Sequence, residues 1–345
     1  MNFQSDFHTF SMPSCGRDLQ RLIIRHPMPY ISRSTYRAPV WLAGGHAQTI
    51  HPVLFRKVNL ITKETERLEL EDGDFLDLAW SKSDSKRLTI ISHGLEGSYR
   101  ATYVQGIAAA LSKQNIDTLA WSFRGCGDEA NRLPSFYHSG KTEDLEHIVR
   151  HAIENHGYQT IDLIGFSLGG NLTLKYIGER GKNIRPEIHG GVAFSVPCML
   201  ADSSATLAKL SNRIYMERFL KTLREKVRTK HSVFPADINI DDLEKIRTFQ
   251  QFDDRYTAPL HGFKDADDYW EKSSCRQYLE NINIPTLLVS AKNDPILGPG
   301  CYPVQEAQNS DYFHLETPST GGHVGFGTGT EYWSERRAVE FLTGS

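Results

Sequence analysis

Apolar and polar positions along this chain fall into blocks, and the period of the pattern changes from one block to the next. Near-continuous apolar runs occur at "RLTIIS" (87–92), "DTLAWSF" (117–123), "TIDLIG" (160–165), "GGVAFSV" (190–196), "PTLLVSA" (285–291) and "YFHLET" (312–317). Each has the length of a strand, and an unbroken apolar run is expected where both faces of a strand are covered. Helical patterns lie between and after them: Tyr99 to Lys113, Thr142 to His156, Leu168 to Glu179 and Glu331 to Leu342. In the second, Leu145, Ile148, Val149, Ala152 and Ile153 recur at helical spacing and make one stripe suited to packing on a sheet. This alternation predicts an α/β fold with a mostly parallel central sheet flanked by helices.

Two regions break the alternation. "TKETERLELEDGDFLDLAWS" switches between apolar and polar residue by residue around Asp72-Gly73, which predicts an antiparallel hairpin leading into the sheet. From about 201 to 279 strand signals vanish, and "LAKLSNRIYMERFLKTLREKVRTK" followed by "DINIDDLEKIRTFQQFDDRY" predicts a helical cap inserted between two strands. The expected organisation is a core made of residues 1–200 and 280–345, with an N-terminal arm over about 1–60, and a cap or lid at 201–279.

Composition narrows the function classes without choosing among them. With 42 acidic against 39 basic residues, a formal net charge of -3, nothing global points to a nucleic-acid partner. The N-terminus lacks a basic start followed by an apolar core, and no run approaches the roughly 18 apolar residues of a membrane span. Cys15, Cys126, Cys198, Cys275 and Cys301 are scattered with no C-x-x-C pair, which suggests neither a disulfide framework nor a zinc site. A cytoplasmic location is expected.

The candidate chemistry starts at Gly165-Phe166-Ser167-Leu168-Gly169. A chain this rich in glycine holds a G-x-S-x-G pattern by chance about one time in ten. What sets this one apart is its place, directly after an apolar strand and directly before a helix, as a nucleophile elbow requires. A serine hydroxyl needs a base, a group to orient the base, and donors for an oxyanion. In the chain order this arrangement uses, Asp294 follows the strand "PTLLVSA" and His323 follows "YFHLET", each just past the carboxyl end of a predicted strand. The oxyanion donors expected are the backbone N–H groups of Leu168, at a helix N-terminus, and of Leu95 in "SHGLEGS". This chemistry calls for no metal and no organic cofactor.

Together with "GGHAQTI" (44–50), "SHGLEGS" (92–98), "SFRGCGDEANRLPSFYHSGKTEDL" (122–145), "GFSLGGN" (165–171) and "FDDRYTAPLHGF" (252–263), these residues resemble the α/β-hydrolase superfamily, and more closely its YheT-like branch, the AB hydrolase 4 group. The resemblance runs from about Ala38 to the C-terminal helix. It implies an α/β-hydrolase fold with a helical cap, a Ser167–Asp294–His323 triad, and hydrolysis of carboxylic esters such as short- to medium-chain acyl esters or acylglycerols. A thioesterase or amidase using the same triad, or a catalytically silent binding protein on the same fold, stays open. A serine at the elbow argues against dehalogenases and epoxide hydrolases, which use a carboxylate there.

Other features carry weaker expectations. Arg124, Asp128, Asn131 and His138 are read as bracing a long loop, and no role is assigned to His46. "GFGTGT" (325–330) reads as a flexible link to the last helix, since it lacks the G-x-G-x-x-G turn of a nucleotide site. Between Leu207 and Lys230 eight Lys or Arg accompany an apolar stripe, so this segment can rest on an anionic lipid surface, although a cap helix with one solvated face is the plainer reading.

Overall fold

The computed structural model describes residues 29–329 and 332–344; Cys15 and the first 28 residues of the arm expected over about 1–60 lie outside them. Nine strands form one sheet: β1 (Tyr30–Ile31), β2 (Glu64–Glu69), β3 (Phe75–Ser81), β4 (Arg87–Ser92), β5 (Asp117–Ser122), β6 (Thr160–Phe166), β7 (Ile188–Phe194), β8 (Thr286–Val289) and β9 (Phe313–Glu316). Their spatial order is β1-β9-β8-β7-β6-β4-β5-β3-β2. The hairpin β2–β3 is antiparallel, and β3 joins β5 antiparallel; every other pairing is parallel.

The apolar runs are continuous because successive side chains feed two different cores. In β6, Ile161 and Leu163 enter one cluster with Leu145, Ile148 and Leu172, while Ile164 and Phe166 enter the other with Val104, Ile107 and Trp333. Helices α3 (Thr142–Glu154) and α4 (Leu168–Arg180) therefore cover one face. Helix α2 (Thr102–Ser112) and the C-terminal helix Trp333–Thr343 cover the other.

Several expected boundaries move. The strand expected at 190–196 runs from Ile188 and ends at Phe194, because Ser195 turns out of it at φ +53°. Helix α1 (Gly45–Phe55) was hidden by its opening glycines and its internal Pro52. Between β7 and β8 the described chain has no strand. The long helical run expected there is broken into α5 (Leu200–Leu207) and α6 (Arg213–Val233), followed by shorter turns. This insertion buries its own apolar cluster, with Leu220, Leu223, Val227 and Phe252 meeting Phe136 and Ile296 from loops of the sheet.

The loop after β5 is braced as its sequence suggests. Arg124 makes two hydrogen bonds to Asp144 (2.9 and 2.7 Å) and reaches Asp72 (2.6 Å) and Asp74 (3.2 Å), while Asn131 donates to Asp74 (2.7 Å). Arg100 pairs with Asp128. One buried guanidinium thus ties the β2–β3 turn to α3. Replacing Arg124 by Met leaves Asp74 and Asp144 buried without their cation, and the expected loss is about 3–5 kcal/mol of stability, measured by urea unfolding. A loss under about 1 kcal/mol, the scale of a surface ion pair, would contradict the assignment.

Candidate active site

Ser167 sits between the end of β6 and the start of α4 at φ +52°, ψ −117°, a region that costs a non-glycine residue about 1–3 kcal/mol. The turn is held because the Ser167 N–H donates to Phe194 O (2.8 Å) and the Ser167 carbonyl accepts from Asn171 N–H (3.0 Å). Gly169 is required by close approach: a Cβ there would overlap the backbone oxygens of Ser92 and His93 at the end of β4. Helix α4 consequently starts hard against the sheet and Ser167 Oγ projects from its carboxyl edge.

The three expected polar residues meet at that edge. His323 Nε2 lies 2.9 Å from Ser167 Oγ, and His323 Nδ1 lies 2.8 Å from Asp294 Oδ2. The other carboxylate oxygen, Oδ1, accepts the N–H of Ile296 (2.9 Å), so the Asp294 side chain has one orientation. With a carboxylate as acceptor, Nδ1 carries the hydrogen and Nε2 is left to accept from the serine hydroxyl.

Helix α1 supplies what the sequence left without a role. Thr49 Oγ1 accepts the His323 N–H (2.9 Å) and Gln48 Oε1 accepts the Gly321 N–H, while Asn293, in the loop after β8, accepts the Gly322 N–H at Oδ1 (3.0 Å). Gly45 packs so closely on this loop that a Cβ would overlap Asn293 O. His46 Nδ1 meets Tyr215 Oη at 3.0 Å, joining α1 to α6. The "GGHAQTI" segment is therefore a clamp on both loops that carry Asp294 and His323. After His323, the expectation of a flexible link is corrected as far as Gly327: Phe326 is fully buried, its N–H donates to Gly321 O (3.1 Å), and Tyr36 Oη donates to Gly327 O (3.0 Å).

The loop after β4 places Leu95 beside the serine. Gly94 N–H donates to Tyr103 Oη (2.9 Å) and Glu96 N–H to Tyr137 Oη (3.0 Å), so the backbone is fixed on both sides of Leu95. Among the described residues neither the Leu95 N–H nor the Leu168 N–H meets an acceptor, and both residues line the cavity that holds Ser167. His93 braces the loop from below: its Nε2 accepts the Phe123 N–H (3.1 Å), so its Nδ1–H donates to Gly94 O (2.7 Å).

That cavity, partly open to solvent, has Ser167 and His323 in a wall otherwise dominated by apolar side chains such as Phe136, Leu207, Phe219, Leu223, Phe252 and Trp270. Most of these come from the insertion. Its polar exceptions include His138, Ser139 and Asp253, so His138 faces the cavity instead of only bracing its loop. Asp253, absent from the sequence candidates although inside "FDDRYTAPLHGF", is buried; burial pushes its carboxyl up to about 7, against hydrogen bonds from Thr257 (2.6 Å) and Trp270 (2.9 Å). A doubled Asp in an otherwise aromatic segment was its only signal.

Of the basic residues between Leu207 and Lys230, three turn inward. Lys230 donates to Asn131 O (2.6 Å), Lys226 pairs with Glu96 (2.7 Å), and Arg224 donates to Ile246 O (2.6 Å). Arg213, Arg218 and Lys221 remain exposed, beside exposed Leu210 and Ile214. No helix among the described residues is long and apolar enough to cross a membrane.

Burial pushes the imidazole of His93 down to about 3 and that of His261 down to about 4, and holds His138 well below its ordinary value. The unfolded chain protonates all three near about 6.5, so as pH falls below that value the unfolded state takes up protons the folded state refuses. Asp253 acts in the opposite sense, since its folded carboxyl protonates first on the way down from about 7. Three imidazoles outweigh one carboxyl, and the urea midpoint is expected to fall between pH 7 and pH 5. A midpoint that holds level or rises over this window contradicts the burial of these groups.

Comparison with known proteins places the chain among relatives of one family. The family model described as Hydrolase_4, serine aminopeptidase, S33, matches residues 83–307. The chain is 35% identical over 308 residues to the putative esterase YheT of Escherichia coli, covering 86% of this chain and 90% of that one. It is 30% identical to the monoacylglycerol lipase of Saccharomyces cerevisiae (71% and 56% covered) and 26% identical to human phospholipase ABHD3 (90% and 78%). Among solved structures, the Pyrococcus furiosus esterase Pf2001 shares the fold with a TM-score of 0.54 at 21% identity, over 82% of this chain and 94% of that one.

Proposed function

Because this chain belongs to the α/β-hydrolase superfamily, in its YheT-like esterase branch, we propose that it hydrolyses carboxylic esters through an acyl-enzyme formed on Ser167. The observation that carries the reading is the pair of hydrogen bonds Ser167 Oγ to His323 Nε2 (2.9 Å) and His323 Nδ1 to Asp294 Oδ2 (2.8 Å).

In this reading the ester carbonyl lies over Ser167 with its oxygen toward the N–H groups of Leu95 and Leu168. Ser167 Oγ attacks the carbonyl carbon while His323 Nε2 removes the hydroxyl proton, and Asp294 stabilises the imidazolium that forms. The tetrahedral intermediate collapses as His323 returns the proton to the leaving alcohol. A water activated by the same imidazole then releases the acid and restores the serine. The two unpaired N–H groups are suited to the charge that develops on the carbonyl oxygen, since they need no reorganisation to meet it.

The insertion acts as the cap over residues 201–279, and its apolar wall takes the acyl chain. That lining favours short- to medium-chain acyl esters or acylglycerols over charged substrates. Relatives named esterase, monoacylglycerol lipase and phospholipase support ester over amide chemistry. The family description as a serine aminopeptidase makes amides the arm to test beside them.

A panel of p-nitrophenyl esters of graded acyl length, run with acyl-CoA thioesters and aminoacyl arylamides, is expected to show ester hydrolysis with the highest kcat/KM. Ser167→Ala is expected to abolish fluorophosphonate labelling and ester turnover in a folded protein, and Asp294→Asn to lower kcat by about 10⁴-fold. Ester hydrolysis that survives Ser167→Ala rejects the nucleophile.

The surface made by Leu210, Ile214, Arg213, Arg218 and Lys221 would rest on anionic lipid that presents the ester. Co-sedimentation with phosphatidylserine-containing vesicles is expected at low salt and should weaken as salt rises. Failure to co-sediment at low salt ends the membrane reading and leaves the esterase reading intact.

A further inference from the structure

We propose that Glu66, His151 and His156 form a zinc-binding site at the β2 edge of the sheet. The site lies beyond the proposed esterase chemistry: between β6, which carries Ser167, and β2 stand the three strands β4, β5 and β3.

Three separate pieces of chain build it. Along β2, Glu66 and Leu68 point to one face, and Leu68 packs into the core that α3 covers. His151 lies in the last turn of α3, and His156 follows in the turn where Gly157, at φ +69°, reverses the chain. The result places His151 Nε2 2.7 Å from Glu66 Oε1, His156 Nε2 3.3 Å from Glu66 Oε2, and the two Nε2 atoms 3.2 Å apart. Tetrahedral zinc with bonds of about 2.05 Å holds its ligand atoms about 3.3 Å from one another, so the separations of the two Nε2 atoms from each other and of His156 Nε2 from Glu66 Oε2 already match. Among the described residues this is the one group of three His, Cys, Asp or Glu side chains with such convergence.

The surroundings suit a metal. Trp80 donates its indole N–H to Glu66 Oε2 (2.8 Å), which orients the carboxylate. The Trp80 ring lies 4.4 Å from the His156 ring and fixes its plane. Lys82, the nearby cation, pairs with Glu64 at 3.3 Å. The side chains are 33%, 13% and 23% exposed for Glu66, His151 and His156, which leaves a solvent-facing position for a fourth, water ligand. Two imidazoles and one carboxylate select zinc over magnesium or calcium, which prefer all-oxygen sites. Because β2 is the outermost strand, the ion would fasten an exposed sheet edge to α3.

The alternative is a proton shared among the same three groups, and zinc titration separates the two. Chelator-stripped full-length protein titrated with ZnCl2 by calorimetry is expected to bind one ion per chain and to unfold at a higher temperature with zinc than without. The paired variant His151→Ala, His156→Ala is expected to bind zinc at least about 100-fold more weakly while keeping the parent's rate on p-nitrophenyl esters. Zinc X-ray absorption on the unmutated protein, which does not depend on the variant folding, is expected to show two imidazole nitrogens and no sulfur. Binding below one ion per chain, equal affinity in the paired variant, or sulfur in the shell overturns the site. None of the zinc readouts requires that the protein hydrolyse esters, so the two readings fail separately.

Discussion

The candidate site depends first on the turn at Ser167. A serine at φ +52° persists only where its surroundings hold it, and here they do so through the backbone bond to Phe194 and the close seating of α4 against β4. The same kind of backbone recurs around it. Glu96, Ser195 and Val324 all adopt positive φ, and the Ser195 hydroxyl accepts the Val324 N–H (2.9 Å). For a β-branched residue such as Val324 this conformation is costly, and it occurs in the residue directly after His323. Strain is thus collected at the loops that must hold a fixed geometry, and the packed sheet beneath them bears its cost.

A parallel sheet gathers the carboxyl ends of β4, β6, β8 and β9 on one edge, yet adjacency alone does not align three side chains to within a hydrogen bond. The alignment comes from polar side chains that bind loop backbone. Gln48 and Thr49 hold the stretch from Gly321 to His323, Asn293 holds Gly322, and Tyr103 and Tyr137 hold the two sides of Leu95. Each such bond satisfies an N–H that would otherwise be left without a partner near the apolar cavity, so orientation and polar satisfaction are achieved by the same contacts.

The insertion contributes differently. It supplies most of the apolar wall, and it is anchored to the sheet domain by charges whose sequence pattern suggests a solvated face. Lys226 and Lys230 reach inward to Glu96 and to carbonyls of the loop after β5, and His46 reaches Tyr215 from α1. These contacts couple the wall of the cavity to the loop that carries Leu95.

Much of this could be read from the chain before its structure. The strands expected at 87–92, 117–123 and 160–165, found within a residue of those bounds, the hairpin around Asp72-Gly73, and the positions of Ser167, Asp294 and His323 follow from periodicity and from loops at strand ends, because those signals are local. Helix α1 was not legible, since Gly44, Gly45 and Pro52 mask a helical pattern, and its purpose appears only where Gln48 and Thr49 meet residues more than 200 positions away. Asp253 was equally silent, because a carboxylate in a polar-looking segment carries no mark of the apolar cavity around it. Glu66 lies 85 positions from His151, at the end of α3, and His156 lies in the turn beyond it, and no spacing rule joins the three. By itself the sequence determined which segments could form strands and helices and which side chains could do chemistry. Only the tertiary structure decided which of those side chains stand within 3 Å of each other, because that distance is set by the packing of loops that are remote along the chain.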